Sequence, residues 1–203
     1  MSVALFVALT VAVVLRLPSV VDQSVYDATQ PLGSGAGDVI ASAVTLLGRT
    51  DIAGGIGIIA AVALSLKRRR LFPNLAPIAV VAVPTLVEAI KTAVGQHRPP
   101  AGTGHDLQLI PSLLPKAAGE TLSFPSNHAA LAGFLAVIMV HLVPRSAPLV
   151  WALAIAVALS RLYLDKHWVS DVVGGLLLGV IVGELAWLTA MAAERIRFGR
   201  TIQ

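Results

Sequence analysis

Cysteine is absent from the 203-residue chain. That removes thiolate nucleophiles, disulfide frameworks, iron–sulfur clusters and cysteine-ligated zinc from the possible chemistries. Charge is scarce as well: Asp, Glu, Lys and Arg together make up 13% of the residues, about half of the roughly 25% found in ordinary soluble domains. The basic excess of +4 is gathered in short clusters beside apolar runs and forms no continuous basic face, so nucleic acid is not an expected partner. No repeat of solenoid length and no low-complexity tract interrupts the chain, so a solenoid or a tethered soluble domain is not expected.

Apolar residues, by contrast, make up 56% of the chain. Crossing a hydrocarbon core of about 30 Å takes roughly 20 helical residues. Runs near Val3–Leu17, Ile52–Leu66, Ala76–Val94, Asn127–Val143, Pro148–Leu164 and Trp168–Ala190 are read as spans. The first two are short and reach spanning length only if Arg16 and Lys67 extend their charges to the interface. A spanning barrel would need alternation at period two, and continuous runs such as Leu149–Leu159 have none. The first run has no Lys or Arg at its amino end and no small-residue cleavage pattern before Pro18, so it is read as a span and not a signal peptide. Between the first two spans, Asp38, Ser42 and Thr45 share one helical stripe while Val39, Ile40, Val44 and Leu47 fall elsewhere. That pattern predicts a short interfacial helix. The expected fold is therefore an all-α membrane protein: a six-transmembrane helical bundle with one short interfacial helix, forming a single domain over residues 1–203.

Orientation follows from the basic residues, because Lys and Arg beside a span resist translocation. One set of alternate loops collects Lys67, Arg68, Arg69, Arg70, Arg145, Arg195, Arg197 and Arg200 against a single acid, Glu194. Placing that set in the cytoplasm puts both termini inside, which requires an even number of spans. The chain is then a multi-pass protein of the plasma membrane, and the proline-rich loop from Gly95 to Pro125 lies outside. The tetrad Lys67–Arg70 reads as a topology anchor.

Three clusters face that outer side. Lys91, Arg98 and Pro99 follow the third span; Pro125, Ser126 and His128 open the fourth; Ser160, Arg161, His167 and Asp171 bridge the fifth and sixth. Lys91, Arg98 and Arg161 bring three cations to one pocket, where their mutual repulsion calls for an anion. A phosphoryl group suits them, since guanidinium forks pair with two oxygens and an ammonium supplies a point charge to a third. Ser126 stands at an N-cap position, so free backbone donors at the start of the fourth helix can point at the same anion. His167 and Asp171 are four apart, which lets the carboxylate orient the imidazole and leaves the other ring nitrogen free for attack. His128 is placed to supply the proton needed by a departing oxygen. Two histidines and a carboxylate are also a conceivable metal set, but the neighbouring cations oppose a divalent ion, so no metal is expected.

Taken together, Lys91-x6-Arg98-Pro99, Pro125-Ser126-Asn127-His128 and Ser160-Arg161-x5-His167-x3-Asp171 resemble the three-part signature of the type 2 phosphatidic acid phosphatase superfamily, with ten fixed positions matched in order between residues 91 and 171. The resemblance implies a helical bundle and phosphate removal through a phosphohistidine, without metal or other cofactor. Membrane members of that family act on lipid phosphates or diphosphates. By position it makes His167 the nucleophile, Asp171 its orienting partner and His128 the acid that protonates the leaving group and later activates water. Lys91, Arg98, Ser126, Asn127 and Arg161 would hold the phosphate. Asn127 departs from the commonest pattern, which has glycine there. Asparagine tolerates positive φ better than most residues, so an amide contact to phosphate can survive while the added side chain reshapes the pocket.

Among the remaining features, Gly175, Gly179 and Gly183 recur every four residues and read as a close-packing face. Glu88 is expected to steady Lys91 three residues later. Glu184 lies deep in the sixth span with no partner evident from sequence, and His97, His105 and His141 read as interfacial residues without a catalytic role. The expected activity is hydrolysis of a lipid phosphate or diphosphate at the outer membrane face. Lys116, Lys166 and His105 offer a second phosphate a resting place and favour a polyprenyl diphosphate. Phosphatidate or phosphatidylglycerol phosphate hydrolysis and lipid-linked phosphotransfer are the rival chemistries. A lipid transporter is the rival of another class, but a site that only grips headgroups has no need for an oriented nucleophile. Vanadate-dependent haloperoxidases share the signature but are soluble, which the apolar spans argue against.

Overall fold

The computed structural model describes residues 1–33, 35–56, 59, 81–100, 107, 109–110 and 121–199. Most of the second expected span beyond Ile56, the start of the third, the Lys67–Arg70 tetrad, His105, Lys116 and Arg200 lie outside the described residues.

Regular structure among the described residues is entirely helical. Helix α1 (Ser2–Val14) is apolar on nearly every side. Its end is set by backbone geometry: Arg16 adopts φ 57°, its N–H bonds to the Val13 carbonyl, and the Leu17 N–H reaches back to Ala12. This is the left-handed stop with paired backward bonds that commonly closes a helix, and Pro18 prevents resumption along the same axis. Helix α2 (Ser19–Thr29) therefore departs steeply, the segment Ser19–Leu32 making 85° with α1. Helix α3 (Gly35–Thr45) passes through one 3₁₀ turn, and a further helical stretch, Thr50–Ile56, leaves at 59°. Helix α4 (Val83–Val94) ends where Gly95 turns to φ 70°, a left-handed value that only glycine adopts at no steric cost. Helices α5 (Asn127–Leu142), α6 (Ala147–Tyr163) and α7 (Val169–Gly199) complete the chain.

Helix α5 is the axis of the bundle. Residues 129–134 are all buried, including Phe134 and Leu131, and among the described residues α7 packs along α5 more extensively than any other pair of helices does. The glycine face makes that approach possible. A Cβ on Gly175 would stand 2.5 Å from the Ser126 carbonyl, and one on Gly179 would collide with the Ala130 carbonyl. Many side chains that point away from the bundle are apolar: Leu149, Leu153, Ile155 and Leu159 on α6, Leu185 and Leu188 on α7, and Val3, Leu5, Val7 and Val11 on α1 are exposed. So large a set of outward aliphatic side chains suits hydrocarbon and not water.

By length and composition, Pro144–Tyr163 and Val169–Ala193 are each able to cross a bilayer, and the described residues hold up to four such spans if each bent pair counts as one. Helix α5 is apolar but shorter. The expectation of six spans is thus matched only in part. The expected interfacial segment is indeed helical, as α3, but its polar stripe faces the protein. Asp38, Ser42 and Thr45 are buried while Val39 and Ile40 are exposed. The reason lies in the partners: Asp38 accepts the Tyr163 hydroxyl, Ser42 accepts the Leu107 N–H, and Thr45 accepts a bond from Arg161.

Candidate active site

The turn between α6 and α7 carries His167, and the first turn of α7 carries Asp171. His167 Nδ1 lies 3.1 Å from Asp171 Oδ2, with both side chains almost fully buried. Asp171 is the third residue of its helix and reaches back to accept the Trp168 N–H at 2.8 Å, a bond that helps start the helix as it fixes the carboxylate. The Ser126 N–H bonds to the Asp171 carbonyl at 3.0 Å. The amino ends of α5 and α7 therefore meet at one point.

Cations surround this junction. Lys91, at the last turn of α4, is 4% exposed and holds Glu88 Oε1 at 2.8 Å, the i,i+3 pair expected from sequence. Arg98 follows Gly95 in a segment tied to residues 121–123 by the Arg98-to-Thr121 and Ser123-to-Gln96 backbone bonds. Its Nη1 donates to the Lys166 carbonyl at 2.9 Å, across the α6–α7 turn. Arg161, near the end of α6, is also buried. Burial, and then the charges of Arg98 and Arg161, the neighbouring His128 and the charge of Lys91, hold the His167 imidazole well below the usual histidine range. All the cations named from sequence thus act on one ring. Arg161, Arg98 and Lys91 also act on His128, and so does Arg49.

The two remaining signature positions sit at the start of α5. Ser126 occupies the N-cap with extended backbone, yet its hydroxyl makes no capping bond. Ser126 Oγ is fully buried and has no hydrogen-bond partner among the described residues. Asn127 Nδ2 donates to Thr50 Oγ1 at 3.0 Å, while its Oδ1 has no partner among the described residues. Among the same residues, no three His, Asp or Glu side chains are grouped to hold a metal ion.

Several contributors were not evident from the sequence. Asp22, buried on α2, accepts both the Ser170 N–H at 2.9 Å and the Ser170 hydroxyl at 2.7 Å, bracing the turn that carries His167. Thr45, Thr50 and Arg49 reach the site from the bend after α3; of these, only Thr45 belonged to a recognised polar stripe. Away from the site, Glu184 does find a partner, His141 Nε2 at 3.0 Å, and that imidazole stacks on Trp187. The pair lies thirteen residues along α5 from His128, about 20 Å at helical rise.

An apolar helical bundle whose helix ends gather a buried histidine–carboxylate pair and several cations defines an integral membrane enzyme built to handle phosphoryl groups. The family model of the PAP2 superfamily matches residues 73–195, and the chain belongs to that family. Among solved structures it is similar to the first transmembrane PAP2-type phosphatidylglycerolphosphate phosphatase from Bacillus subtilis, with a TM-score of 0.75, 20% identity and 94% of each chain covered. It is also similar to LpxE of Aquifex aeolicus, with a TM-score of 0.57 and 21% identity over 82% of this chain and 94% of that one. At such identities the likeness establishes the fold alone. No curated protein matches the sequence significantly.

Proposed function

We propose that this member of the PAP2 superfamily is a membrane phosphatase that removes phosphate from a lipid phosphate or diphosphate at the outer membrane face. The observation that carries the reading is the buried His167–Asp171 pair set among Lys91, Arg98 and Arg161. Nδ1–H donates a hydrogen bond to Asp171 and keeps its proton, so the Nε2 lone pair is free to attack phosphorus. As the N–P bond forms, the bond from phosphorus to the lipid oxygen breaks, and His128 gives that oxygen its proton. Water then attacks the phosphohistidine, yields its proton to His128 and releases inorganic phosphate, restoring both histidines. Lys91, Arg98, Arg161, the Ser126 hydroxyl and the amide end of α5 would balance charge on the three non-bridging oxygens. Asn127 would shape the same pocket.

The aliphatic outer faces of α1, α6 and α7 hold the chain in the bilayer, so a phosphate carried on a lipid reaches the pocket without its tail leaving hydrocarbon. A tail that stays in hydrocarbon gains little on binding, which makes the headgroup the main discriminator. A compact cationic pocket favours a headgroup whose charge is concentrated in one P–O–P unit, and the expected order is polyprenyl diphosphate ahead of phosphatidylglycerol phosphate and phosphatidate.

The test is phosphate release from these lipids in mixed micelles at matched surface concentration. His167→Ala should abolish release, and His128→Ala should slow leaving-group departure. Chelators should leave the rate intact, because the reading routes no step through a metal. Vanadate should inhibit, since it adopts the five-coordinate geometry of the transferring group. Faster release from a glycerolipid monoester would reverse the substrate order, and activity restored by a divalent ion after chelation would overturn the mechanism.

A further inference from the structure

Two side chains of the phosphate pocket lean on a short stretch of chain that contains none of the signature. Arg161 Nη1 donates to Thr45 Oγ1 at 2.8 Å, and Asn127 Nδ2 donates to Thr50 Oγ1 at 3.0 Å. Thr45 closes α3 and Thr50 opens the next helical stretch, so both hydroxyls belong to the 59° bend between them. Within the bend, Gly48 is pressed against the site. A Cβ there would stand 2.9 Å from His128 Cβ and 2.7 Å from Val157 Cγ1. The far side of the bend is fixed by Arg49, whose Nε and Nη2 engage both carboxylate oxygens of Asp51 at 3.1 and 2.6 Å.

From this geometry we infer that the elbow from Thr45 to Thr50 is a positioning element of the active site, and that Thr45 and Thr50 preset Arg161 and Asn127 for the phosphoryl group. The inference rests on the phosphatase reading above. A free arginine side chain must surrender several rotatable bonds when it closes on a phosphate. One already held by a buried hydroxyl has surrendered them on folding, so more of its interaction with the anion appears as affinity. Thr45 is suited to this because it is itself buried on the inward stripe of α3.

Thr50 does something further for Asn127. A hydroxyl both donates and accepts, so Thr50 can serve either end of the Asn127 amide. As the side chain stands, its Oδ1 is buried with no partner among the described residues. A half-turn of the amide keeps the bond to Thr50, now with Thr50 as donor to Oδ1, and frees Nδ2 to donate to an oxygen of the anion. Asn127 thereby becomes an additional phosphate donor, switched into place by the ligand.

The experiment compares Thr45→Val and Thr50→Val, which keep shape and lose the hydroxyl, with Thr45→Ser and Thr50→Ser, which keep the hydroxyl. Vanadate affinity is read by calorimetry on the purified, monodisperse full-length protein, and kcat and KM are read separately on a lipid phosphate. Each valine variant should weaken vanadate binding and raise KM by about tenfold, the scale of one hydrogen bond to a charged or buried group, with a smaller change in kcat. Each serine variant should recover to within about threefold of the parent. In an Arg161→Ala background, Thr45→Val should cost nothing more, because its effect passes through Arg161. Should a valine variant fail to fold, Thr45→Ala and Thr50→Ala, which remove the hydroxyl without a buried methyl in its place, carry the same comparison. Valine variants that bind vanadate as the parent does would overturn the inference, and so would a full tenfold loss at Thr45 after Arg161 is gone. Absence of phosphate release by the parent from every lipid would instead count against the lipid phosphatase reading, while the vanadate titrations would still decide the elbow's role.

Discussion

Asp171 Oδ2 holds His167 Nδ1 at 3.1 Å and the Trp168 N–H at 2.8 Å through the same oxygen. A bond that starts α7 thus also fixes the carboxylate that orients the imidazole, and the tautomer follows from helix capping. Asp171→Asn tests the carboxylate's charge with almost no change of shape. The Trp168 N–H keeps the amide oxygen in that place, so Nδ1 retains an acceptor but loses the carboxylate's negative charge, which supports the ring as it attacks phosphorus. The expected result is a fall in kcat of about a hundredfold, with little change in vanadate affinity. Steady-state kinetics and vanadate titration on the same preparation check it, and a loss below about tenfold would show that the carboxylate's charge does not support the imidazole.

How much of this was legible depended on whether a residue's role is local in sequence. Asp171 and His167 are four apart, and Glu88 and Lys91 three apart, so helical spacing alone pairs them. The apolar helices and the glycine face of α7 were legible for the same reason, because periodicity reports which side packs. Thr45 with Arg161 is separated by 116 positions, Asp22 with Ser170 by 148, and His141 with Glu184 by 43. No local pattern encodes such pairs; they exist because the helices bring their ends together. The stripe on α3 was read correctly as a stripe. Its direction depended on buried partners on α6 and near Leu107 that composition does not reveal.

The His167 environment sets a sign for pH dependence. Its imidazole is held below the ordinary value by burial first and then by Arg98, Arg161, His128 and Lys91, whereas in the unfolded chain it titrates near 6.5. Above about pH 6.5 both states are neutral at this position and it adds no slope. Below that, the unfolded chain takes up a proton that the folded site refuses, so stability falls as pH drops toward the lowered folded value, by at most about 1.4 kcal/mol per pH unit. His167→Gln should flatten the thermal midpoint against pH between about 6.5 and 5 relative to the parent. Parallel curves for the two proteins would show that the site does not exclude the proton.

The α5–α7 seam predicts a severe response to a single methyl. Gly179→Ala would drive a Cβ into the Ala130 carbonyl and within 2.7 Å of the Phe134 N–H, neither of which is the yielding tip of a flexible side chain. Because that seam joins the two helices bearing His128 and Asp171, relief by separation also spreads the site. The expected destabilisation is about 1–3 kcal/mol or more, seen as a lower thermal midpoint in detergent, together with loss of phosphate release. Gly35→Ala, with nothing within 4 Å of the added atom, serves as the control and should change neither.

The orientation of the bundle can be tested through the chain's lack of cysteine, since any introduced thiol is the only one present. Ser126 and Ser146 lie at opposite ends of α5, which spans 16 residues or about 24 Å. If Arg145, Arg195 and the Lys67–Arg70 tetrad keep their ends in the cytoplasm, the end bearing Ser126, His167 and Arg98 faces outward. Leu109→Cys, at an exposed position in the segment between Gly95 and Pro125, should react with a membrane-impermeant maleimide on intact cells. Ser146→Cys should react only after permeabilisation. Labelling of Ser146→Cys from outside, with Leu109→Cys protected, would invert the protein and place its phosphate pocket on the cytoplasmic leaflet.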